Sequence, residues 1–291
     1  MATLLAPRSL PAMLHSRPWG GQRLAELRGA TSRCIGESWE FSTLAGRVSQ
    51  TDRGPLDRVL GRPLPFIAKL IDTAAPLSVQ VHPPDDPATQ RGGKEEAWVV
   101  LDASVGAELR VGLRGGASPG ALRQAVELTR QGHGQPLLDL LEPIEAAPGT
   151  IVVVPAGTVH AIGAGILLAE IQQPIDCTYR LFDYGRGREL HHDLAAAVID
   201  ASARAAVSRP SDAAAALRGT HLDLLRLDAG EHDCPHPGHD ILLVAVGQPC
   251  TLSHVQGKTT VAPNDLRLWV NGRVRVRVEP GACLVLASLT R

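Results

Sequence analysis

Residues 148–165 read PGTIVVVPAGTVHAIGAG, and their pattern is the most informative one for the fold. A run of apolar, mostly β-branched residues at 151–154 is typical of a buried strand. Pro155 and Gly157 follow and favour a tight turn. His160 comes next, where the chain would enter a second strand. The stretch therefore predicts two strands and a turn that presents a histidine at a fixed position.

A second stretch, LSVQVHP at residues 77–83, places two polar side chains in an apolar strand. Side chains of a strand alternate between faces, so Gln80 and His82 point the same way, with Cα atoms about 7 Å apart. Val79 and Val81 then lie on the opposite face. The pattern predicts a glutamine amide and an imidazole side by side on one face.

Short strands separated by turn residues dominate the rest of the chain, which predicts a barrel or a sandwich. A helical insertion is expected around residues 118–143, with Ser118 as N-cap of the segment that contains GALRQAVELTR. The stretch ELHHDLAAAVIDASARAA, residues 189–206, also has a helical composition. Apolar strand-like runs occur on both sides of these segments, including PLPFIAKLID, EEAWVVLDA, GILLAEIQQ, DILLVAVG and ACLVLASL.

The Ser-, Pro- and Ala-rich stretch AAVSRPSDAAAALRG, residues 205–219, is typical of a connector. It predicts a first domain over residues 1–210, which holds the helical insertion, and a smaller all-β unit over residues 211–291. In the second unit, RVRVRVE alternates arginine with valine. This alternation is typical of a half-exposed strand with the valines inward.

Composition limits the classes of function. The formal net charge is -1, which gives no electrostatic reason to expect nucleic acid or an anionic membrane as partner. No stretch reaches the roughly eighteen apolar residues of a membrane-spanning helix. The five cysteines are odd in number and widely spread, which argues against a disulfide framework. We therefore expect a cytoplasmic protein.

Several motifs together resemble a known enzyme family. The spacing G-x5-P-x-G-x-x-H, from Gly149 to His160, resembles the second motif of the cupin barrels. Combined with the Gln-x-His of LSVQVHP and the acid of GKEE, it resembles the type I mannose-6-phosphate isomerases in their short bacterial form. The resemblance covers roughly residues 17–200 and weakens beyond residue 210. It extends to the segments RPWGGQRL, GESWEFS, PLPFIAKLID and EIQQPIDCTYRLFDYGR.

This resemblance implies a fold and an activity. The expected fold is mainly β: a cupin (jelly-roll) barrel with a helical insertion, followed by a smaller C-terminal cupin-like unit. The expected activity is the interconversion of mannose 6-phosphate and fructose 6-phosphate by proton transfer between C1 and C2. The partner is then a small sugar phosphate, while the oligomeric state stays open.

Four residues are predicted to bind one divalent metal: Gln80, His82, Glu96 and His160. Mixed nitrogen and oxygen ligands without thiolate suit Zn²⁺, and Mn²⁺, Co²⁺ or Ni²⁺ would also fit chemically. The resemblance implies zinc, with one ion per chain. Glu95 is the competing carboxylate, but it would point to the opposite face of a strand, and the family pattern places the ligand at Glu96.

The substrate needs cations for its phosphate and groups that act on its carbons. Ser78, Lys94 and Arg186 are the candidates for phosphate binding. The predicted catalytic residues are Arg180, Glu170 and Lys94. By resemblance, Arg180 lies close to the reacting carbons and Glu170 aligns with an acid discussed as a proton carrier. The general base stays open between Glu170, a histidine and a metal-bound water.

Two other functions fit parts of the pattern. A non-catalytic cupin would bind a sugar phosphate without turnover. An iron-dependent cupin oxygenase would more often use histidines with a single carboxylate, and Gln80 argues against it. The stretch EHDCPHPGHD, residues 231–240, holds a compositional cluster that could suggest a second metal site, although its prolines favour a simple turn. The members of this cluster are His232, Cys234, His236 and His239.

Overall fold

The computed structural model describes residues 3–6, 13–32, 34–213, 216–234, 238–254 and 256–289. Over these residues the chain is mainly β, as predicted, with 26 strands and five helices. The helices are α1 (Arg23–Arg28), α2 (Leu56–Leu60), α3 (Pro119–Arg130), α4 (Gln135–Leu140) and α5 (His192–Val198). The strands up to residue 208 are β1 (Thr3–Leu5), β2 (Leu14–Gly21), β3 (Ile35–Phe41), β4 (Thr43–Leu44), β5 (Arg47–Val48), β6 (Gln50–Thr51), β7 (Gly54–Pro55), β8 (Ile67–Asp72), β9 (Val79–Val81), β10 (Glu96–Ala103), β11 (Glu108–Leu113), β12 (Leu141–Glu145), β13 (Ile151–Val154), β14 (His160–Ile162), β15 (Ile166–Gln172), β16 (Tyr179–Phe182) and β17 (Ala206–Ser208). The remaining strands are β18 (Ala216–Arg218), β19 (Leu222–Leu227), β20 (Gly230–Cys234), β21 (Ile241–Val246), β22 (Cys250–His254), β23 (Gly257–Val261), β24 (Leu266–Asn271), β25 (Val274–Val278) and β26 (Cys283–Leu289).

Two antiparallel sheets built from the first 208 residues face each other. The seven-stranded sheet has the order β17-β13-β10-β15-β8-β3-β2, and the five-stranded sheet has the order β12-β11-β14-β9-β16. Apolar side chains of both sheets, among them Trp98, Leu168, Leu109 and Ile162, form one buried cluster between them. The space between these two sheets is the interior into which the site residues project.

Two further sheets form the C-terminal part of the molecule. The six-stranded sheet has the order β1-β24-β21-β26-β19-β18, and the four-stranded sheet has the order β20-β25-β22-β23. In β25 the valines are buried and Arg275 and Arg277 are exposed, as the alternation predicts. The proposed boundary at residue 210 falls between β17 and β18, but β1 from the start of the chain pairs with β24.

The seven-stranded sheet is covered on both faces. From β8, Ala68 and Leu70 pack in a core shared with the six-stranded sheet, whereas Ile71 packs toward the five-stranded sheet. Every residue of β8 is buried for this reason. Two-sided burial explains why PLPFIAKLID reads as an almost continuous apolar run instead of an alternating one.

The helices of the insertion pack against the outer face of the five-stranded sheet, on Val79 and Val81. The Ser118 side chain accepts a hydrogen bond from Ala121 N and caps α3, as predicted. Helix α5 is shorter than its composition predicts and ends at Val198. The Asp200 carboxylate accepts hydrogen bonds from the backbone and hydroxyl of Ser202, which stabilises a turn in competition with the helix.

No helix among the described residues combines the length and the apolar character needed to cross a membrane. All five cysteines are free thiols.

Candidate metal centre and substrate cavity

The five-stranded sheet brings the two histidine-bearing segments together. Strand β9 lies between β14 and β16, and Gln80 is paired in register with His160 on one side and with Arg180 on the other. Gly157 adopts a positive φ of 82°, and its N–H donates to the carbonyl of His82 at 2.8 Å. The Pro-Gly turn is therefore tied directly to the Gln-x-His strand, which fixes the spacing between the two histidines.

Glu96 approaches from the facing seven-stranded sheet. Its Oε2 lies 3.1 Å from His82 Nε2, and its Oε1 lies 3.3 Å from His160 Nε2. The three side chains are buried, and one ligand atom from each lies within 4.8 Å of the others. We call His82, Glu96 and His160 the metal cluster. His160 begins β14, His82 directly follows β9 and Glu96 begins β10, so the two facing sheets bring all three side chains into the shared interior.

Both imidazoles are oriented by backbone carbonyls. His82 Nδ1 donates to Cys177 O and His160 Nδ1 donates to Thr158 O, each at 2.9 Å. Because the proton of each neutral ring sits on Nδ1, each Nε2 carries a lone pair directed at the cluster. A second hydrogen bond of this kind is the usual way in which proteins fix the tautomer of a metal-binding histidine.

Burial and neighbouring charges set the protonation states of the cluster. Burial, followed by the nearby Lys94 ammonium, lowers the pKa of His82 to about 4. Burial also lowers the pKa of His160. Burial alone would raise the pKa of Glu96, but Lys94 and the two imidazoles hold it well below its usual range. Near neutral pH the cluster therefore presents two neutral imidazoles and one carboxylate, which are the forms that bind metal ions.

The donor set fits a divalent cation. Among the described residues, Glu96 Oε1 is buried and has no hydrogen-bond donor. The Gln80 Nε2 atom lies 3.2 Å from the His160 Nε2 atom. Rotation of the Gln80 amide by a half-turn would exchange its nitrogen and oxygen and place Oε1 at this position. Two imidazole nitrogens and two oxygens, without thiolate, make a ligand set that suits zinc.

A polar cavity of about 380 Å³ adjoins the cluster. Six cationic side chains and three carboxylates line it, which leaves a formal excess of positive charge suited to an anionic ligand. A larger cavity of about 910 Å³ lies elsewhere and includes no member of the metal cluster. The charged residues of the smaller cavity are Arg17, Arg47, Lys69, Lys94, Arg180, Arg188, Glu37, Glu170 and Asp176.

Arg180 differs from the other cations of this cavity. Each of the other five forms an ion pair with a carboxylate, whereas in the described part of the chain Arg180 forms none. Its Nε is buried and has no hydrogen-bond partner among the described residues. Burial and then the nearby Arg188 guanidinium lower the pKa of Arg180. An anionic group in the cavity would relieve this desolvation and repulsion.

Glu170 is held by Lys69 on the neighbouring strand. Lys69 Nζ lies 3.2 Å from Glu170 Oε1 and donates to Gln172 Oε1 at 2.6 Å. The same ammonium lies over the ring of Trp39, at 4.5 Å from its centroid. These contacts fix the position of the Glu170 carboxylate at the cavity wall.

The structure brings most of the predicted site residues together. Lys94 Nζ lies 2.8 Å from Glu96 Oε2 and 3.0 Å from His82 Nε2. Ser78 Oγ donates to Gln80 Oε1 at 2.9 Å. The predicted residues that line the cavity are Ser78, Gln80, Lys94, Glu170 and Arg180.

Arg186 does not line this cavity. A place on the same face as Arg180 requires an extended backbone from residue 180 to residue 186, but β16 ends at Phe182. The Arg186 guanidinium stacks on Tyr184 at 5.0 Å and pairs with Asp183 at 3.5 Å. Arg188 lines the cavity instead.

Sequence reasoning missed four cations of the cavity: Arg17, Arg47, Lys69 and Arg188. Lys69 carried a usable signal, because a lysine inside the apolar run FIAKLID needs a partner if it is buried. The other three lie in segments whose local pattern is that of ordinary surface charge.

The C-terminal histidine and cysteine cluster does not form a metal group in the described part of the chain. There, His82, Glu96 and His160 are the one set of such residues close enough to hold an ion. His232 Nε2 lies 2.8 Å from Asp228 O, and His236 lies outside the described residues.

Comparisons with known proteins identify the family. No family model matches the chain. The Bacillus subtilis (strain 168) protein GmuF, a probable mannose-6-phosphate isomerase, is 35% identical over 221 residues, which cover 66% of this chain and 68% of that protein. The crystal structure of a Bacillus subtilis mannose 6-phosphate isomerase matches 98% of this chain and 99% of its own with a TM-score of 0.76 at 22% identity. A mannose 6-phosphate isomerase bound with zinc and yttrium matches over the full length of both chains with a TM-score of 0.64 at 14% identity. The chain therefore belongs to the mannose-6-phosphate isomerase family.

Proposed function

We propose that this protein is a metal-dependent isomerase that interconverts mannose 6-phosphate and fructose 6-phosphate. The observation that carries the proposal is a buried His–Glu–His cluster beside a cation-lined cavity in which Arg180 forms no ion pair with any described residue. Membership of the mannose-6-phosphate isomerase family supports the same activity.

Zinc is the metal that the site supports best. Gln80, His82, Glu96 and His160 would hold it, and a structurally similar isomerase is bound with zinc. The ion would supply Lewis-acid stabilisation of negative charge on substrate oxygens. The protein residues around it have separate tasks, which follow from their positions.

The cavity walls would bind and orient the substrate. Ser78 and Lys94 lie beside the metal cluster. Arg188 pairs with Asp183 through Nε and one Nη, and its remaining guanidinium N–H groups can donate to a phosphate in the cavity. Arg186 stays a candidate for the phosphate from the sequence, although its guanidinium is engaged with Tyr184 and Asp183. Binding energy from the phosphate would anchor the sugar with its first two carbons against the metal cluster.

Proton transfer between C1 and C2 needs a base and a stabilised oxygen. Glu170, positioned by Lys69, is the carboxylate of this cavity that we assign as candidate proton carrier. Arg180 would donate to the oxygen on which charge develops. Arg180, which forms no ion pair within the described part of the chain, and Glu170, held by Lys69, share one cavity, and this combination favours catalysis over mere binding of a sugar phosphate. We place the enzyme in the cytoplasm, where its free thiols would stay reduced.

Metal removal tests the proposed function. In a coupled assay we expect exhaustive chelation to lower turnover of mannose 6-phosphate by at least about a hundredfold, since the ion supplies several kcal/mol of charge stabilisation. Added Zn²⁺ should restore the rate. Full turnover by metal-free protein, verified by elemental analysis, would remove the metal from the mechanism. No turnover with any divalent ion would remove the activity itself.

The two candidate phosphate arginines can be separated by substitution. Because Arg188 lines the cavity and Arg186 does not, we expect Arg188→Ala to raise KM for mannose 6-phosphate about tenfold, the value of one lost charge-assisted hydrogen bond. Arg186→Ala should change KM less. Both variants remove an ion pair with Asp183 and can therefore lower the stability of the protein. The melting temperature of each variant shows whether a change in KM reflects lost stability. A larger rise in KM for Arg186→Ala than for Arg188→Ala would show that Arg186, and not Arg188, binds the phosphate.

A further inference from the structure

The side chain of Glu95 points away from the metal cluster and into the C-terminal unit. Its carboxylate accepts three backbone hydrogen bonds, from Thr220 N at 2.9 Å and from His221 N and Leu222 N at 2.8 Å. The residue is 1% exposed. A buried carboxylate can be stabilised by several N–H donors in this way, without a cationic partner.

The chain at residues 219–222 is shaped to receive this carboxylate. A Cβ at Gly219 would lie 2.3 Å from Glu95 Oε1, so that only glycine permits the approach. Gly219 N donates to Leu222 O at 2.7 Å and closes a turn that directs the three N–H groups toward Glu95. We call residues 219–222 the receiving turn. It leads directly into β19 of the six-stranded sheet.

A second contact joins the receiving turn to the loop that precedes the metal ligand. His221 Nε2 lies 2.8 Å from Asp85 Oδ2. Asp85 Oδ1 accepts from Gly93 N at 2.6 Å. The backbone on the N-terminal side of Lys94 is therefore tied to the same C-terminal turn as Glu95.

Lys94 and Glu96 are the sequence neighbours of Glu95, and their side chains point to the opposite face, where Glu96 belongs to the metal cluster and Lys94 contacts it. The contacts of Glu95 therefore affect the position of both. Glu96 is the first residue of β10, where the chain leaves a long loop and ladder hydrogen bonds begin. Backbone position at this point decides where the Lys94 ammonium and the Glu96 carboxylate lie. We propose that Glu95 is a positioning residue through which the receiving turn of the C-terminal unit holds Lys94 and Glu96 in place for metal binding and turnover.

The expected effect on kcat rests on the proposed function. The expected effect on Zn²⁺ affinity does not depend on it. Glu95→Gln keeps the shape and places an NH2 group against a backbone N–H. Gly219→Ala disturbs the same contact from the other side. We expect either variant to weaken Zn²⁺ affinity about tenfold, the low end for residues that orient metal ligands, and to lower kcat with KM changed by less than about threefold.

The measurements are Zn²⁺ competition with a chromophoric chelator, steady-state kinetics well below the melting temperature, and amide hydrogen exchange at residues 220–222. Glu145→Gln, at an exposed position of β12, is the matched control and should match the wild type. If Glu95→Gln or Gly219→Ala does not fold, Asp85→Asn tests the partly exposed second contact, with weaker loss of affinity expected.

A merely structural contact would lower the melting temperature and leave metal affinity and kcat unchanged in folded variants. That result overturns the inference. An inactive wild-type protein would instead overturn the proposed function, and the affinity measurement would still test the positioning role.

Discussion

Glu96→Gln is expected to abolish zinc binding and turnover together. Glu96 supplies the one carboxylate of the His–Glu–His cluster, and it also pairs with Lys94 at 2.8 Å. Glutamine would leave the buried ammonium without its counter-charge and offer the cation a weaker ligand. We expect kcat to fall at least about a thousandfold, corresponding to about 4 kcal/mol of lost transition-state stabilisation. Elemental analysis and a coupled assay on the same preparation measure both effects.

The companion variants of Glu96 sharpen this result. Glu96→Asp keeps the negative charge but shortens the side chain by one methylene group. We therefore expect partial metal binding and poor turnover. Glu142→Gln removes an exposed carboxylate of β12 and should behave as the wild type. Normal zinc content and normal turnover in Glu96→Gln would show that Glu96 is not a required ligand of the catalytic metal.

Arg180→Ala is expected to keep the metal and lose the chemistry. The guanidinium lines the cavity and, among the described residues, forms no ion pair and leaves its buried Nε without a hydrogen-bond partner. Removing one donor to a developing oxyanion costs about 10²–10³ in kcat. We therefore expect kcat to fall by about that factor, with zinc content unchanged.

Two controls separate charge from geometry at this position. Arg180→Lys keeps the positive charge without the planar donor pair, so it should recover part of the rate. Arg204→Ala removes an exposed arginine that donates to the backbone carbonyls of Ala201 and Ala203 and should have no effect. A wild-type rate in Arg180→Ala, or loss of zinc from it, would show that the residue has another role.

The meeting of His82, Glu96 and His160 was predictable because local rules place these side chains. Alternation along a strand puts Gln80 and His82 on one face, and the Pro-Gly turn fixes where His160 enters the next strand. Alternation also separates Glu95 from Glu96 but cannot tell which of them faces the interior. The family resemblance supplied that choice, and the structure gives Glu95 a separate set of partners in the receiving turn.

The cavity was harder to predict because its cations come from distant parts of the chain. Arg17, Lys69 and Arg188 come together only when three distant segments fold around one cavity. The local periodicity of the sequence does not indicate such a long-range contact. The expectation for Arg186 depended on an extended backbone. Tyr184 and Gly185 instead adopt positive φ values of 54° and 73°, so the chain turns and Arg188 takes the place beside the cavity.

The double burial of the seven-stranded sheet has a consequence for how the protein matures. One face of this sheet is covered by the six-stranded sheet, whose central strands include β26, which is synthesised long after β8. Until that strand leaves the ribosome, Ala68, Leu70 and their neighbours lack their apolar cover. Acquisition of a metal ion is thus expected to follow the synthesis of β26, since the candidate ligands depend on a scaffold that a chain lacking this strand cannot close.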